Sequence, residues 1–360
     1  SCPSGEDIRG WLQIVRGIEK APEGMTLSEY AFRRSTTANP FPSQMGRVCP
    51  APCQSGCNRN EVDDYVGINA VEQFIGDKAF KENYTFEKAP KLNKERVAII
   101  GGGPAGLSAA FQLRKMGYAS TIFEEREDLG GMMRYGIPNY RTPRDILDAE
   151  INRILDLGDI EVVLNKRVGK DIPMEEVEES HDAVLWTIGC WNGKALPIEG
   201  SDAENCLSGV AFLEAFCQGR LKVGSKKVVC VGGGDTSIDV VSVARRLGHI
   251  STLNPQESPE AVVHGYVAQD VSESAIKEGA EVTLTSLFQK EEMTAAEQEV
   301  NDAIHEGVTI INGVIPVRVE KDENNRAIAL VIAECTFEEN RPVPIEGTEK
   351  VIEADLIVSA

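Results

Sequence analysis

The sequence predicts an α/β fold in which two parallel-sheet domains follow an α-helical N-terminal segment. Up to about residue 92, "DIRGWLQIVRGIEKA" and "VGINAVEQFIGDKAF" space their apolar residues three and four apart, which is the helical period. After this segment, an apolar strand, a glycine run and an amphipathic helix follow one another twice. Repeated strand–turn–helix units are typical of sheets with parallel strands.

The composition excludes several classes of protein. The 360 residues carry 37 Lys and Arg against 57 Asp and Glu, and the net charge of −20 repels the phosphates of nucleic acid. The sequence contains no run of about 18 apolar residues, the minimum for a membrane-spanning helix. Nine cysteines, an odd number without a recognisable signal peptide, favour a reducing cytoplasm over a secreted disulfide framework.

The first glycine run has the spacing Gly101-x-Gly103-x-x-Gly106, between the strand "VAII" and a helix. A dinucleotide pyrophosphate needs close backbone and a helix N-terminus, so the first glycine makes the turn, the second admits the phosphate and the third lets helix and strand pack. Glu124 ends the next strand, where it is placed to accept hydrogen bonds from ribose hydroxyls. The motif predicts dinucleotide binding; the alternative is a glycine turn without a ligand.

A second run, Gly232-x-Gly234-x-x-Ser237, has serine in place of the third glycine. Small residues suffice at that position, so the turn is expected to survive the change. The chain therefore carries two nucleotide-binding halves. The alternative is a degenerate half that is retained only as a scaffold.

The N-terminal cysteines indicate a metal centre. Cys49, Cys53 and Cys57 lie four residues apart on a loop rich in proline and glycine, whose rigid turns can aim thiolates at metal. The same ligands could also form a structural zinc site.

Several of these motifs resemble known flavoproteins. "GGGPAGL", with Pro104 and Ala105 inside the loop, resembles the FAD site of two-dinucleotide-domain flavoproteins. "GGMMRYGIP" followed by "YRTP", and "GRVCPAPC", resemble the glutamate synthase small-subunit family of iron–sulfur flavoproteins. This second resemblance extends over almost the whole chain. It implies two Rossmann-like domains, one for FAD and one for NAD(P)H, behind an α-helical iron–sulfur domain.

For the flavin, the resemblance implies four contacts beyond the first glycine run. Gly131 and Arg134 would lie along FAD, and Val168 would contact the adenine through its backbone. The segment "DAVLWTIG", which ends at Gly189, resembles the strand that closes the flavin pocket. For Arg134 the alternative is a solvated arginine beside a turn.

For the nicotinamide cofactor, the resemblance implies that the N–H groups of the second turn bind the pyrophosphate. The predicted contacts of this half are Gly232, Gly234, Asp235, Thr236 and Ser286. NADPH-using members carry an arginine pair where this chain has Leu287 and Phe288, so we expect NADH rather than NADPH. The other cations that could hold a 2′-phosphate are Lys290, Arg245 and Arg246.

For the metal centre, the resemblance implies [4Fe–4S] clusters. One cluster would take Cys2, Cys49, Cys53 and the carboxylate of Glu72. Cys57 would belong to a second cluster whose other cysteines would precede Ser1. Glu72 has an alternative interpretation as a solvated helix-surface glutamate.

These interpretations divide the chain into three domains. We expect an iron–sulfur domain over residues 1–92, an FAD domain over 93–220 that resumes at about 350, and an NAD(P)H domain over 221–349 with a surface insertion at 249–278. Both ends of the sequence look like cuts through a longer protein.

The function predicted from the resemblance is electron transfer between NADH, FAD, the clusters and a partner redox protein. Hydride transfer between cofactors needs no protein acid or base, so we predict no catalytic residue. The missing arginine pair and the insertion favour the branch that works with dissimilatory sulfite reductase over an NADPH-dependent glutamate synthase small subunit with its large subunit. A homodimer and a non-catalytic assembly subunit are further candidates.

Overall fold

Five short helices form the N-terminal part of the structure, which is a computed structural model. They are α1 (Ile8–Val15), α2 (Leu27–Ser35), α3 (Pro42–Val48), α4 (Pro52–Ser55) and α5 (Ile68–Lys81), with a 3₁₀ turn at Asn58–Glu61. Trp11, Ile14, Phe32 and Ile75 form their apolar core. Helix α1 begins after Asp7, whose carboxylate accepts from the Gly10 N–H at 3.0 Å and so satisfies a free donor of the first turn.

A four-stranded parallel sheet follows the helical part. Its elements are β1 (Arg96–Ile100), α6 (Pro104–Lys115), β2 (Ala119–Phe123), α7 (Met132–Tyr135), α8 (Arg144–Leu155), β3 (Ile160–Val163), α9 (Met174–Ser180) and β4 (Ala183–Trp186). The strand order is β3-β2-β1-β4. Because β2 and β4 lie on opposite sides of β1, the order reverses there, and ligands of such sheets bind at the carboxyl ends beside that point.

A second parallel sheet has five strands in the order β5-β13-β6-β7-β8. Its elements are β5 (Cys206–Ser208), α10 (Gly209–Cys217), β6 (Lys227–Val231), α11 (Asp235–Gly248), β7 (Glu281–Thr285), a 3₁₀ turn at Lys290–Glu292, α12 (Glu297–His305), β8 (Thr309–Ile311) and β13 (Leu356–Ser359). The α/β class with two parallel Rossmann-like sheets is therefore confirmed.

An antiparallel sheet, which the sequence analysis did not anticipate, lies between β8 and β13 along the chain. Its strands are β9 (Val314–Lys321), β10 (Ala327–Glu338), β11 (Arg341–Pro344) and β12 (Lys350–Glu353). Leu330 and Ile332 of β10 share one apolar core with Val229 of β6 and Ile357 of β13. The antiparallel sheet thus packs on the five-stranded one.

The chain divides into two units, which differ from the predicted domains. The described residues are 2–62, 64–221, 225–248, 280–339 and 341–360. One unit comprises residues 1–134 and 141–189, and the other comprises 135–140 and 190–360. The predicted boundary at 220 and the predicted return to the FAD domain at about 350 are corrected, because β13 pairs with β5 and β6 of the second sheet. The predicted insertion 249–278 lies outside the described residues.

Candidate functional site

The first glycine run forms the sharp turn that its spacing predicts. Gly101 has φ of +109°, and a Cβ atom there would lie 2.5 Å from the Thr187 carbonyl oxygen. A Cβ atom on Gly106 would lie 2.0 Å from the Gly101 carbonyl oxygen, so helix α6 reaches the strand only because this residue is glycine. The turn and packing roles assigned to these glycines match the geometry.

The start of α6 is open to a ligand. Gly103 is its N-cap, Pro104 and Ala105 begin it, and within the described part of the chain no side chain caps its first N–H groups. Free N–H groups at a helix N-terminus attract phosphate through hydrogen bonding and the helix dipole. The residues present therefore fit a dinucleotide pyrophosphate.

The second predicted flavin loop lies on the first. The Gly130 N–H donates to the Gly102 carbonyl oxygen at 2.9 Å. A Cβ atom on Gly131, whose φ is +51°, would lie 2.6 Å from the Gly103 Cα atom. The two backbones therefore touch, and the loop reaches the phosphate turn as the resemblance implied.

Glu124 ends β2 as predicted and is nearly buried. Its two carboxylate oxygens accept from the Gly102 N–H at 2.7 Å and the Arg126 N–H at 2.9 Å. Each oxygen keeps a further lone pair for a ribose hydroxyl. The Lys166 N–H donates to the Glu124 carbonyl oxygen at 3.0 Å, which holds the loop containing Val168 beside this strand end.

Arg134 has internal partners that sequence reasoning missed. Its Nε donates to the Leu129 carbonyl oxygen at 2.6 Å, and its guanidinium pairs with Asp148 of α8. The side chain is 14% exposed, so it is not a solvated arginine. Its contact with the flavin stays a prediction.

Thr187 was also missed, although it directly follows the apolar strand β4 beside the glycine turn. Its hydroxyl donates to the carbonyl oxygens of Ile100 at 3.0 Å and Gly101 at 2.9 Å. Gly189, the end of the predicted pocket-closing segment, follows two residues later with φ of +69°. The hydroxyl therefore supports the turn from the neighbouring strand β4.

The second glycine run forms an equivalent turn at the start of α11. Gly232 has φ of +153°, and a Cβ atom there would lie 2.2 Å from the Ala360 carbonyl oxygen. Ser237, in the third position, is fully buried, and among the described residues its hydroxyl has no hydrogen-bond partner. Serine fits this position, as expected.

A segment after β7 covers the second turn. The Ala295 N–H donates to the Gly233 carbonyl oxygen at 3.1 Å, and the Ala296 N–H donates to Asp235 Oδ1 at 3.2 Å. Ser286 is buried at the end of β7, and its hydroxyl would lie 2.8 Å from a Cβ atom on Gly233. The predicted contacts Ser286, Gly234, Asp235 and Thr236 thus belong to one edge of the sheet.

Three cations were predicted as alternative partners of a 2′-phosphate, and the structure corrects this prediction for two of them, Arg245 and Arg246. Arg245 and Arg246 lie at the last turn of α11, about 16 Å along the helix from the glycine turn. Arg246 pairs with Glu306 and lies 4.2 Å from the centre of the Tyr140 ring. Both arginines therefore lie at the opposite end of the helix from the glycine turn. Lys290, which follows β7, donates to Asn301 Oδ1 at 2.8 Å.

The loop after β7 presents aromatic rings in place of arginines. Phe288 stacks on Phe337 with ring centres 5.8 Å apart and planes 15° apart, and both side chains are exposed. The Phe288 N–H donates to the Ser286 hydroxyl at 3.2 Å, and Asn312 Nδ2 donates to the Phe288 carbonyl oxygen at 2.9 Å. The loop is therefore held in place beside the second turn.

The predicted ligands of the first cluster are close enough to influence one another's charge. Burial raises the pKa of the Cys49 thiol, and the charges of Glu72 and Cys2 raise it further. Burial also raises the pKa of Cys53, with contributions from Cys49 and Cys2. The thiol and carboxyl groups of these residues repel one another when they are ionised. Positively charged iron would relieve that repulsion. Cys57 begins the following 3₁₀ turn.

Glu72 is 4% exposed, so it is not a solvated helix-surface residue. Asn39 Nδ2 donates to its Oε1 at 2.6 Å, and burial raises its pKa. Glu6, which sequence reasoning missed, hydrogen-bonds to it; burial and the Glu72 charge raise the pKa of Glu6 to about 8. Glu6 and Glu72 are therefore two apposed carboxyl groups whose pKa values are both raised above the ordinary glutamate value.

Three buried or partly buried thiols with one carboxylate fit an iron–sulfur cluster. Among the described residues, no three His, Cys, Asp or Glu side chains converge as ligands of one metal ion. Thiolates are donors that suit iron, and the role of these residues as ligands stays a prediction.

The fold and its two turns define a two-dinucleotide-domain oxidoreductase with an N-terminal metal-binding segment. A family model described as pyridine nucleotide-disulphide oxidoreductase matches residues 95–360, and one described as dihydropyrimidine dehydrogenase domain II, 4Fe-4S cluster, matches residues 1–84. The chain belongs to the pyridine nucleotide-disulphide oxidoreductase family and, within it, to the glutamate synthase small-subunit-like iron–sulfur flavoproteins.

Two relatives agree with this assignment, and a solved structure agrees with the fold. The NADPH-Fe(3+) oxidoreductase subunit beta of Geobacter sulfurreducens is 34% identical over 100% of the chain, which spans 49% of that protein. The glutamate synthase [NADPH] small chain of Mycobacterium tuberculosis is 30% identical over 100% of the chain and 70% of its own length. The fold resembles Mycobacterium tuberculosis FprA in complex with NADPH, with a TM-score of 0.60, 13% identity and coverage of 74% of this chain and 70% of that one.

The cofactors follow from the family. They are FAD, NAD(P)H and a [4Fe–4S] cluster, as predicted. In the part of the chain that the structure describes, every helix is too short or too polar to cross a bilayer.

Proposed function

We propose that this chain is the electron-transfer part of an NADH:acceptor oxidoreductase that works with a partner redox enzyme. One NADH would donate a hydride to FAD, and the two electrons would then leave singly through iron–sulfur clusters to the partner's acceptor, with one proton released to solvent. The chain's own residues bind and orient these groups.

The observation that carries this proposal is the arrangement of the first unit. It joins an open phosphate turn at Gly103 to a group of three partly buried thiols and one buried carboxylate, Cys2, Cys49, Cys53 and Glu72. A chain that only bound nucleotides would have no use for the acidic thiol group. The predicted second cluster at Cys57 extends the same proposal.

The preference for NADH over NADPH rests on the loop after β7. Leu287 and Phe288 offer no cation to a 2′-phosphate, and Phe288 is occupied by stacking on Phe337. Lys290 is the cation nearest in sequence, and it donates to Asn301. We therefore expect NADH to reduce the flavin faster than NADPH at equal concentration, and equal rates or a faster rate with NADPH would contradict the preference.

The partner is proposed to be dissimilatory sulfite reductase, because the substituted loop departs from the arginine pair of NADPH-dependent glutamate synthase subunits. The alternative partner is a glutamate synthase large subunit. An anaerobic affinity pull-down from cells that express both enzymes distinguishes them, since siroheme protein in the eluate supports the first and glutamine-dependent activity the second.

The proposed function is tested with full-length protein, reconstituted with FAD, iron and sulfide without oxygen. We expect a yellow-brown protein that retains both cofactors after gel filtration and bleaches on addition of NADH. A protein that retains neither iron nor flavin would overturn the proposal and support a non-catalytic assembly subunit.

A further inference from the structure

Helix α8 buries two ionisable side chains that the proposed electron transfer does not use. Glu150 and Arg153 lie three residues apart, so they share one face of the helix. Glu150 has no exposed surface, and Arg153 is 8% exposed. Charged residues are seldom buried to this extent unless they have specific partners.

Glu150 binds the start of helix α3, 107 residues earlier in the chain. Its Oε1 accepts from the Ser43 N–H at 2.8 Å, and its Oε2 accepts from the Gln44 N–H at 3.1 Å. These N–H groups belong to the first turn of a helix without a cap of its own. Helix α3 ends immediately before the predicted ligand Cys49. Glu150 therefore fixes the segment that leads into the cysteine loop.

Arg153 packs against the helical part through aromatic rings. Its guanidinium carbon lies 4.2 Å from the centre of the Phe80 ring and 5.1 Å from that of Phe32. Among the described residues, its NH1 atom has no hydrogen-bond partner, so the rings and the carboxyl group of Glu150 are the neighbours that act on this charge. Phe80 belongs to α5, the helix that carries Glu72. Arg153 thus holds the second ligand-bearing helix.

Helices α3 and α5 form one rigid pair. A Cβ atom on Gly46 would lie 2.5 Å from the Gln73 amide nitrogen, and one on Gly76 would lie 2.4 Å from the Ser43 amide nitrogen, so the backbones are in contact. Arg47 pairs with Asp77 across the same interface at 2.9 Å. The Cys49 and Glu72 backbones are therefore expected to move together.

The N-terminal half of α8 reaches the predicted flavin loop. Its residue Asp148 pairs with Arg134 of that loop. The Thr142 hydroxyl, just before α8, donates to the Met133 carbonyl oxygen at 3.1 Å. Helix α8 is therefore a continuous rigid connection between the flavin loop and the helices that carry the cluster ligands.

We propose that Glu150 and Arg153 are positioning residues that hold the ligand-bearing helices α3 and α5 at a fixed separation from the flavin loop, and so set the rate of electron transfer between FAD and the cluster. Electron tunnelling slows steeply as the donor and acceptor move apart, so a loose connection costs rate even when both cofactors stay bound. This inference rests on the proposed function.

The test uses full-length holoprotein carrying Glu150→Gln. Either oxygen of a carboxyl group can accept a hydrogen bond, protonated or not, whereas the amide nitrogen of glutamine cannot. The variant keeps the volume but loses one of the two bonds to α3. Asp156→Asn is the matched control, because Asp156 is an exposed acid at the end of the same helix.

Three quantities are measured without oxygen: iron and flavin content, the separate rates of flavin bleaching and cluster reduction after mixing with NADH, and hydrogen exchange at the Ser43 and Gln44 amides. For Glu150→Gln we expect normal cofactor content and flavin bleaching within twofold of the wild type. Amide protection should fall about tenfold, the equilibrium weight of one buried hydrogen bond, and cluster reduction should be slower than in the wild type. Asp156→Asn should match the wild type in all three.

Substitutions of Arg153 provide a second, independent test of the inference. Arg153→Lys keeps a cation beside the rings and should retain most of the cluster-reduction rate, whereas Arg153→Met should lose it. The inference is wrong if Glu150→Gln loses amide protection while its cluster is reduced at the wild-type rate. It is also wrong if Glu150→Gln and Arg153→Met slow flavin bleaching as much as they slow cluster reduction. A wild-type protein that does not bleach with NADH would instead contradict the proposed function.

Discussion

Gly131 lies against Gly103 so closely that a Cβ atom on Gly131 would stand 2.6 Å from the Gly103 Cα atom. We therefore expect Gly131→Ala to separate the two loops and to destabilise the unit by about 1–3 kcal/mol, since overpacking and a left-handed alanine act together. The variant should lose most of its FAD, which the flavin absorbance after gel filtration measures.

Gly158→Ala is the control for this substitution. Gly158 also has a left-handed backbone, with φ of +72°, but its Cβ atom would meet only the end of the Lys88 side chain, at 3.7 Å. The Gly158→Ala variant should therefore keep its FAD. Equal loss from both variants would show that backbone strain alone is responsible, and not the contact between the loops.

Phe288→Arg restores a cation to the loop after β7. We expect kcat/KM for NADPH to rise about tenfold relative to NADH, because an arginine can pair with the 2′-phosphate that NADH lacks. Steady-state reduction of an artificial electron acceptor measures the ratio. Val351→Arg places the same charge on exposed strand β12 and should leave the ratio unchanged; a similar rise there would mean that surface charge alone steers NADPH.

Glu72→Gln tests the proposed cluster ligand. The amide is a neutral and weaker donor to iron, so we expect reduced iron content and a changed electron paramagnetic resonance spectrum, with FAD retained. Glu82→Gln, an exposed acid at the end of the same helix, is the control. Wild-type iron content and an unchanged spectrum in Glu72→Gln would remove this residue from the ligand set.

Glu150 makes stability depend on pH in a direction opposite to that of a salt-bridged acid. Burial raises its pKa to about 8, opposed by the two backbone hydrogen bonds and the charges of Arg153 and Arg47. Between the ordinary glutamate pKa, about 4.3, and 8, the folded state keeps a proton that the unfolded state has lost. The free energy of unfolding should therefore fall as pH rises through this range, by at most about 1.4 kcal/mol per pH unit.

Urea unfolding of the wild type and of Glu150→Gln at pH 5, 6.5 and 8 measures this effect. Glutamine does not titrate, so the difference between the two proteins should shrink or change sign as the pH rises. Parallel curves over the whole range would show that Glu150 does not change its protonation there.

The regular elements near each motif could be predicted because their signals are local. A glycine turn, a helical period and an acid at a strand end each depend on residues within a few positions, and Gly101, Gly106 and Glu124 lie where their spacing predicts. The grouping of Cys49 with Glu72 came from the family resemblance and stays a prediction; in the structure the charge of Glu72 raises the pKa of the Cys49 thiol.

Other features depend on residues far apart in the chain, and the sequence held no sign of them. Glu150 meets Ser43 across 107 residues, Arg134 finds Asp148, and β13 pairs with β5 across about 150 residues. The domain boundary near 190 follows from that last pairing, because hydrogen bonds between strands, and not their order in the chain, decide which sheet a strand joins.

The sequence by itself determined the class of this protein, its two phosphate turns and its candidate ligands, because backbone conformation and soft-donor chemistry are properties of short segments. Only the tertiary structure decided which cations lie beside a nucleotide, and that Arg245 and Arg246 do not, since the two ends of a helix face opposite edges of its sheet. The tertiary structure likewise decided that Glu150 and Arg153 of α8 are buried, because burial depends on what the rest of the chain packs against these side chains.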